Sequence, residues 1–310
     1  MNNTITIVGI GRVGATLAYT LVIKNLVSNL FLIDINLERC EGEVLDIADT
    51  LAFSETAHIK QVGYAEARNS DIIIIAAGFA QSGPEETRLE LFAKNQAIVS
   101  SIMQQLEPLN PHAIVIVVTN PVDLMTYVAQ QHSTLPSPRI FGTGTWLDTQ
   151  RLRRYLGKEL SIAPESIDAV VIGEHGDNQF VAWSRAHVAG SPIGDNGLNQ
   201  KTLEELATKT KQEAYVIIKK KCATFFGIAA CVADICESIL FDQKRVLPVS
   251  CLIPTEGICY SVPVIVGKNG IERHLLLKLS EDEKTQLHES GVALKHCIAT
   301  LEKTPGEPHS

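Results

Sequence analysis

The sequence predicts an α/β protein in which an N-terminal doubly wound parallel sheet is followed by a C-terminal α+β domain. Short β-branched runs alternate with helical segments through the first half, as in βαβ units. The second half has longer amphipathic helices and late strands separated by turn residues. Because 310 residues exceed what one small core accommodates, we expect two domains, residues 1–142 and residues 143–310.

Composition narrows the class of protein. The formal net charge of −8, from 27 basic and 35 acidic residues, argues against nucleic-acid and anionic-membrane partners. The 7 cysteines include no C-x-x-C pair, so we predict neither a disulfide framework nor a metal site, and a reducing, cytoplasmic location. No apolar run approaches the ~20 residues of a membrane span, and the N-terminus lacks the basic segment of a signal peptide.

The first strand and helix flank a glycine-rich turn. The run 5–8 ends at Gly9-Ile10-Gly11-Arg12-Val13-Gly14, and residues 15–22 have helical character. G-x-G-x-x-G alone is common by chance, but between a strand and a helix it is typical of a dinucleotide site. Asp34 follows strand 30–33, where a carboxylate accepts hydrogen bonds from the NAD ribose and repels the 2′-phosphate of NADP. Residues 1–142 are therefore predicted to be a Rossmann domain that binds NAD.

Two further buried strands end in residues suited to a ligand. Strand 71–78 ends at Gly78 and strand 113–120 ends at Asn120. Ligands collect at the carboxyl ends of strands in open parallel sheets. The segment 79–86 between them reads as a surface loop leading to a helix from about Leu89.

The second half contains a candidate proton-transfer group. His175 follows the apolar run 170–172 and lies between Gly173 and Gly176, and imidazole titrates near neutral pH. Asp148 and Arg151 are three residues apart on a predicted helix, 147–156, and so share a face. Arg151 suits two-point binding of a substrate carboxylate, and Asp148 could hold His175 in one tautomer. The plain alternatives are a structural histidine and a solvated ion pair.

The remaining elements follow from periodicity and caps. Helices are predicted over 202–221, 225–240 and 280–301, the last beginning at a Ser280–Glu283 capping box. Strands 246–249 and 261–266 are predicted to pair in an antiparallel sheet.

The linked motifs resemble the family of NAD-dependent L-lactate and malate dehydrogenases over nearly the whole chain. Further motifs, Gly142-Thr143-Gly144-Thr145, Trp183-Ser184 and Lys221-Cys222-Ala223-Thr224, are more like the lactate branch. The segments that carry the family resemblance, in order, are Gly9–Gly14, Asp34, Ala76-Ala77-Gly78, Thr87-Arg88-Leu89, Val118–Asp123, Leu147–Arg153 and Ile172–Asp177.

This resemblance implies roles. His175 is the general acid in pyruvate reduction and the base in lactate oxidation, Asp148 orients it, and Arg88 polarises the ketone. The implied substrate-binding residues are Gln81, Arg88, Asn120, Arg151 and Thr224. The implied cofactor-binding residues are Gly9, Gly11, Val13, Gly14, Asp34, Arg39, Tyr64, Gly78, Phe79, Ser101, Val118, Asn120 and Thr143. The family also suggests a homo-oligomer, a dimer or a homotetramer, that works in glycolysis and fermentation.

Three departures from the family pattern concern specificity, a helix end and regulation. The loop before Arg88 is one residue longer than usual, so the specificity position is Gln81 counted from Gly78 and Ser82 counted back from Arg88; we favour Gln81. Cys222 stands where glycine is common. Asp168 replaces a histidine of enzymes activated by fructose 1,6-bisphosphate, so we expect no such activation.

Other functions remain open at this point. A malate dehydrogenase or a dehydrogenase of longer L-2-hydroxy acids would use the same site, and a catalytically silent NAD-binding protein is the non-enzyme alternative. Tyr215 and Lys219 have the Tyr-x-x-x-Lys spacing of short-chain dehydrogenases, but the glycine spacing of the first turn does not fit that family.

Overall fold

The computed structural model describes residues 3–54, 58–79 and 88–302. Its strands, in chain order, are β1 (Thr4–Val8), β2 (Asn29–Ile33), β3 (His58–Gln61), β4 (Ile72–Ile75), β5 (Ile114–Val117), β6 (Ile140–Gly142), β7 (Ile167–Asp168), β8 (Val171–Ile172), β9 (Phe180–Val181), β10 (His187–Val188), β11 (Ser191–Pro192), β12 (Arg245–Ile253), β13 (Ile258–Gly267) and β14 (Gly270–His274).

The helices lie between these strands and at the end of the described chain. They are α1 (Arg12–Ile23), α2 (Leu37–Asp49), α3 (Tyr64–Ala67), α4 (Arg88–Leu106), α5 (Val122–Gln131), α6 (Trp146–Leu160), α7 (Gln200–Lys221), α8 (Phe226–Leu240) and α9 (Glu281–Glu302). Among the helices that the structure describes, none combines the length and apolar character needed to cross a bilayer.

The first half forms the predicted doubly wound sheet. Its six strands are parallel and lie in the order β3-β2-β1-β4-β5-β6, that of two mononucleotide-binding halves. Helices cover both faces, which is why the central strands β4 and β5 are continuously apolar: the four isoleucines of β4 are fully buried. The predicted doubly wound parallel sheet is confirmed.

The antiparallel strands predicted in the second half extend this same sheet. β12, β13 and β14 pair antiparallel with one another, and β12 joins β6 through the pair Ser250 and Gly142. The result is a nine-stranded sheet in the part of the chain that the structure describes. The sequence pattern predicts the pairing of β12 with β13, but local patterns carry no information on which distant strand accepts β12.

Helices on opposite faces of the sheet complete the core. α1 packs against α8 on one face, with Leu17, Leu21 and Val232 in the same fully buried cluster. α4 and α5 pack together on the other face, where Met103 and Met125 are buried. The helix α8 therefore comes from the second half but packs against the first helix of the chain, α1.

The predicted helices form with small shifts at their ends. α1 begins at Arg12 rather than at residue 15, and α6 continues to Leu160 rather than ending at 156. The capping box of α9 is confirmed, since the Ser280 amide donates to Glu283 Oε2 at 2.9 Å and the Glu283 amide to Ser280 Oγ at 3.3 Å.

Candidate active site

The three glycines of the first turn have different surroundings. Gly9 has φ of +96°, and a Cβ there would lie 2.4 Å from Ala77 Cα. A Cβ on Gly14 would lie 2.0 Å from the Gly9 carbonyl oxygen. A Cβ on Gly11 would meet nothing within 4 Å, so this position faces open space. Gly9 and Gly14 therefore serve close packing of strand and helix, and Gly11 leaves room for a ligand to approach the backbone.

Polar groups around that space suit a dinucleotide. α1 begins after Gly11 without a side-chain cap, so its first amide groups can donate hydrogen bonds to phosphate oxygens. The Asp34 carboxylate is held by the Ile10 amide at 2.7 Å and the Asn36 amide at 2.9 Å. This fixed carboxylate at the end of β2 matches the position that recognises the ribose hydroxyls of NAD.

An asparagine that the sequence analysis does not identify joins the ends of β4 and β5. Asn95 of α4 is fully buried, and its Nδ2 donates to the carbonyls of Phe79 at 3.1 Å and Asn120 at 2.7 Å. Its Oδ1 accepts from the Phe79 amide at 2.8 Å. The sequence does contain a signal that could identify Asn95: it is an amide side chain among the apolar residues of the buried face of α4, such as Phe92 and Val99.

The other predicted cofactor residues lie in several environments. Gly78 has φ of +157°, and a Cβ there would lie 2.6 Å from Thr119 Cγ2. Burial, and then the negative charge of Asp34, raise the pKa of Tyr64. Val13 lies in the first turn of α1. Val118, after β5, and Thr143, after β6, are buried. Arg39 is exposed on α2, and Ser101 is exposed on α4, where its hydroxyl accepts a hydrogen bond from Gln105.

His175 and Asp148 form a hydrogen-bonded pair. His175 Nδ1 lies 2.8 Å from Asp148 Oδ2, and Asp148 is only 2% exposed. Burial raises the pKa of the Asp148 carboxyl, but the charge and hydrogen bond of His175, with the charge of Arg151, outweigh it and lower the pKa below its usual value. An ionised carboxylate only accepts hydrogen bonds, so Nδ1 carries the proton in this pair and Nε2 of a neutral ring is the unprotonated nitrogen.

The turn that carries His175 is fixed from three sides. β8 leads into Gly173, which has φ of +90° and exchanges backbone hydrogen bonds with Ser261 of β13 at 2.9 and 3.0 Å. The His175 amide donates to Asp123 Oδ2 of α5 at 2.7 Å. The carbonyl of Asn178 accepts from Ser290 of α9 at 2.6 Å. Asp123 belongs to a motif of the family resemblance, but the sequence analysis gives it no role of its own.

Arg151 lies on the same side of α6 as Asp148, as their spacing predicts. Its Nη1 donates to Asp148 Oδ1 at 3.1 Å, and the residue is 7% exposed. A buried guanidinium in this position can bind a small carboxylate, and the neighbouring histidine–aspartate pair can then deliver a proton beside it.

The remaining substrate-binding predictions are only partly described. Asn120 is exposed at the end of β5, and Thr224 is half-buried between α7 and α8. Arg88 begins α4, but its side chain lies outside the described part of the chain, as do Gln81 and Ser82. Their roles stay predictions.

Comparison with known families agrees with this geometry. The NAD-binding domain of lactate/malate dehydrogenases matches residues 3–142, and the α/β C-terminal domain of the same enzymes matches residues 145–304. The chain belongs to the lactate/malate dehydrogenase family. This membership excludes the short-chain dehydrogenase alternative, and Tyr215 and Lys219 lie exposed on α7.

Individual members of the family align over almost the whole chain. An L-lactate dehydrogenase of Thermoanaerobacter sp. is 40% identical, with 97% of this chain and 99% of the relative covered. One of Synechococcus sp. is 39% identical, with 96% and 98% covered. The crystal structure of a minor L-lactate dehydrogenase from Enterococcus mundtii superposes with a TM-score of 0.92 at 36% identity, covering 96% of this chain and 98% of that one.

Proposed function

We propose that the protein is an NAD-dependent L-lactate dehydrogenase, which transfers hydride reversibly between NADH and pyruvate to give L-lactate and NAD. The observation that carries this proposal is the buried His175–Asp148 pair beside Arg151, in a chain whose first half is an NAD-binding domain. The full-length similarity to several L-lactate dehydrogenases supports the same activity.

Each residue of the candidate active site has a separate proposed role in pyruvate reduction. Arg151 binds the substrate carboxylate, and the protonated His175 gives its Nε2 proton to the ketone oxygen of pyruvate. Asp148 keeps Nδ1 protonated and stabilises the imidazolium that exists before that transfer and after lactate oxidation. When bound, NADH supplies the hydride for C2 of the substrate. We assign Arg88 to stabilising the charge that develops on the ketone oxygen.

Specificity for pyruvate is proposed from the composition of the loop. Oxaloacetate has a second carboxylate where pyruvate has a methyl group, and a malate-type site needs a cation there. The segment offers Ala80, Gln81 and Ser82, followed by Glu85 and Glu86. A carboxylate buried among neutral partners costs several kcal/mol, so pyruvate should be preferred.

The decisive experiment measures kcat/KM for pyruvate, 2-oxobutyrate and oxaloacetate on the wild type and on Gln81→Arg, with NADH and NADPH. We expect a preference for pyruvate of ~10² or more, equivalent to ~2.7 kcal/mol, and a preference for NADH because of Asp34. Gln81→Arg should shift preference toward oxaloacetate.

A wild type that favours oxaloacetate would make the lactate assignment wrong. A substitution without effect would move the specificity position to Ser82, with a wider pocket for longer 2-oxo acids.

We also propose a cellular location, an assembly state and a domain boundary for the enzyme. We infer a cytoplasmic homo-oligomer, a dimer or tetramer, acting in glycolysis and fermentation, with the domain boundary at 142/143. We also expect no activation by fructose 1,6-bisphosphate. Arg153 lies 4.0 Å from the carboxylate of Asp168, which would repel a phosphate. A fall in the KM for pyruvate on adding the bisphosphate would contradict this.

A further inference from the structure

A second carboxylate lies beside the guanidinium of Arg151. Glu213 of α7 places its Oε2 3.9 Å from Arg151 Nε, while Asp148 of α6 accepts from Nη1 at 3.1 Å. The Arg151 and Glu213 side chains are 8% and 19% exposed, so water screens this interaction less than at an open surface. Arg151 is therefore held between two negative charges that come from two different helices.

Neighbouring groups keep the Glu213 carboxylate in place. Arg154 Nη2 donates to both of its oxygens, at 2.6 and 2.8 Å. The Arg154 side chain is 55% exposed, so solvent weakens its compensation of the Glu213 charge. Glu213 thus remains near Arg151 instead of turning into water.

We propose that Glu213 is a specificity-determining residue that acts through Arg151: it weakens the attraction of this arginine for carboxylates and so disfavours 2-oxo acids with two negative charges. The inference rests on the proposed function, in which Arg151 binds the substrate carboxylate. Because the Nε edge faces Glu213 and one proton of Nη1 is taken by Asp148, the substrate is left with the terminal edge of the guanidinium. A carboxylate on that edge lies one guanidinium away from Glu213 and is repelled by it.

The repulsion has a direction that a purely structural role would not produce. If Glu213 only fixed the orientation of Arg151, removing its charge would let the guanidinium move out of position and would raise the KM for every substrate. If it repels substrates, removing the charge lowers the KM, and lowers it more for a dianion than for a monoanion, because the Coulomb energy scales with the product of the charges.

The test compares Glu213→Gln with two further variants. Glu213→Asp keeps the charge, and Glu205→Gln removes an equal charge from an exposed position of the same helix, 4.0 Å from Lys201. At low ionic strength, Glu213→Gln should lower the KM for pyruvate ~3-fold and for oxaloacetate ~10-fold. Its kcat should stay within about twofold of wild type. Glu213→Asp and Glu205→Gln should both resemble the wild type.

A binding measurement separates failure of this inference from failure of the proposed function. Oxamate is an unreactive monoanionic analogue of pyruvate, and its binding to the enzyme–NADH complex can be followed by NADH fluorescence. Glu213→Gln should lower its Kd ~3-fold, whether or not the wild type turns over pyruvate. A KM and an oxamate Kd that rise or stay unchanged in Glu213→Gln, or an equal fall in Glu205→Gln, overturns the role of Glu213. A wild type that does not reduce pyruvate overturns the proposed function instead.

Discussion

At the scale of single residues, the proposed proton transfer depends on how firmly the His175 side chain and backbone are held in place. Its ring is fixed through Nδ1 by a carboxylate that is itself fixed by Arg151, and its backbone amide is bound to Asp123. The sequence predicts His175, Asp148 and Arg151 because their residue types and spacing already indicate proton transfer beside a carboxylate. It does not single out Asn95, Asp123 or Glu213, because their roles arise only when distant elements meet.

We predict that His175→Asn lowers kcat for pyruvate reduction at least ~10²-fold, the scale of a lost general acid, while NADH affinity changes little. An amide has the size to fill the site but cannot exchange a proton near neutral pH. His187→Asn is the matched control, since His187 lies on β10 with its Nδ1 2.9 Å from the Arg185 carbonyl. Steady-state kinetics and NADH fluorescence titrations measure both quantities. A kcat within threefold of wild type in His175→Asn would remove His175 from the mechanism.

At the scale of secondary-structure elements, the start of α9 is tied to a distant turn. Glu283 accepts from the amides of Ser280 and Ser184, each at 2.9 Å, and from the Ser184 hydroxyl. Burial raises the pKa of Glu283, but the hydrogen bonds from Ser184 and Ser280 outweigh it and lower the pKa below 4.5. The capping box was predictable from four residues of sequence; the contact with Ser184 was not, because nearly a hundred residues separate the partners.

We predict that Glu283→Ala lowers the free energy of unfolding by about 2 kcal/mol at pH 7, the sum expected for a cap and charge-assisted hydrogen bonds. Because the pKa is lowered in the folded state, this contribution is complete above the ordinary value of 4.5 and disappears as the pH falls through the folded pKa. Denaturant unfolding of wild type and variant at pH 7 and at several values below 4.5 measures it. A difference that does not shrink at low pH would contradict the role of the ionised carboxylate.

The end of α7 gives a second prediction at this scale. Cys222 follows the helix in the left-handed conformation, with φ of +67°, which costs a residue with a side chain roughly 1–2 kcal/mol. Cys222→Gly should therefore raise the unfolding free energy by about 1 kcal/mol, part of the gain being offset by the entropy of glycine in the unfolded chain. Cys222→Ala is the control and should not stabilise. Thermal unfolding of both variants decides, and equal melting temperatures would show that the strain is absent.

At the scale of the whole molecule, the two halves share their core. β6 pairs with β12, and α1 packs against α8, so the edge of β6 and one face of α1 are covered by elements beyond residue 225. The pattern of alternating strands and helices predicts the parallel sheet, since each unit is local. The junction with β12 depends on contacts across more than a hundred residues, which periodicity does not encode.

We predict that the protein unfolds in one cooperative transition, and that residues 1–142 expressed alone aggregate. The fragment would expose the face of α1 that contains Leu17 and Leu21 and leave the edge of β6 unpaired. Calorimetry of the whole chain and light scattering of the fragment measure these outcomes. Two separate transitions, or a soluble folded fragment, would contradict them.

The pairing of β6 with β12 also affects where the proposed coenzyme site lies relative to His175. Gly142 of β6 pairs with Ser250 of β12. On the neighbouring strand β13, Ser261 exchanges backbone hydrogen bonds with Gly173, in the turn that carries His175. The proposed coenzyme site at the ends of the parallel strands and the turn that carries His175 are thus attached to one hydrogen-bonded sheet. Chimeras that exchange whole halves between relatives would place their splice between β6 and β12, and we expect them to keep the position of the His175 turn only where these two strands still match.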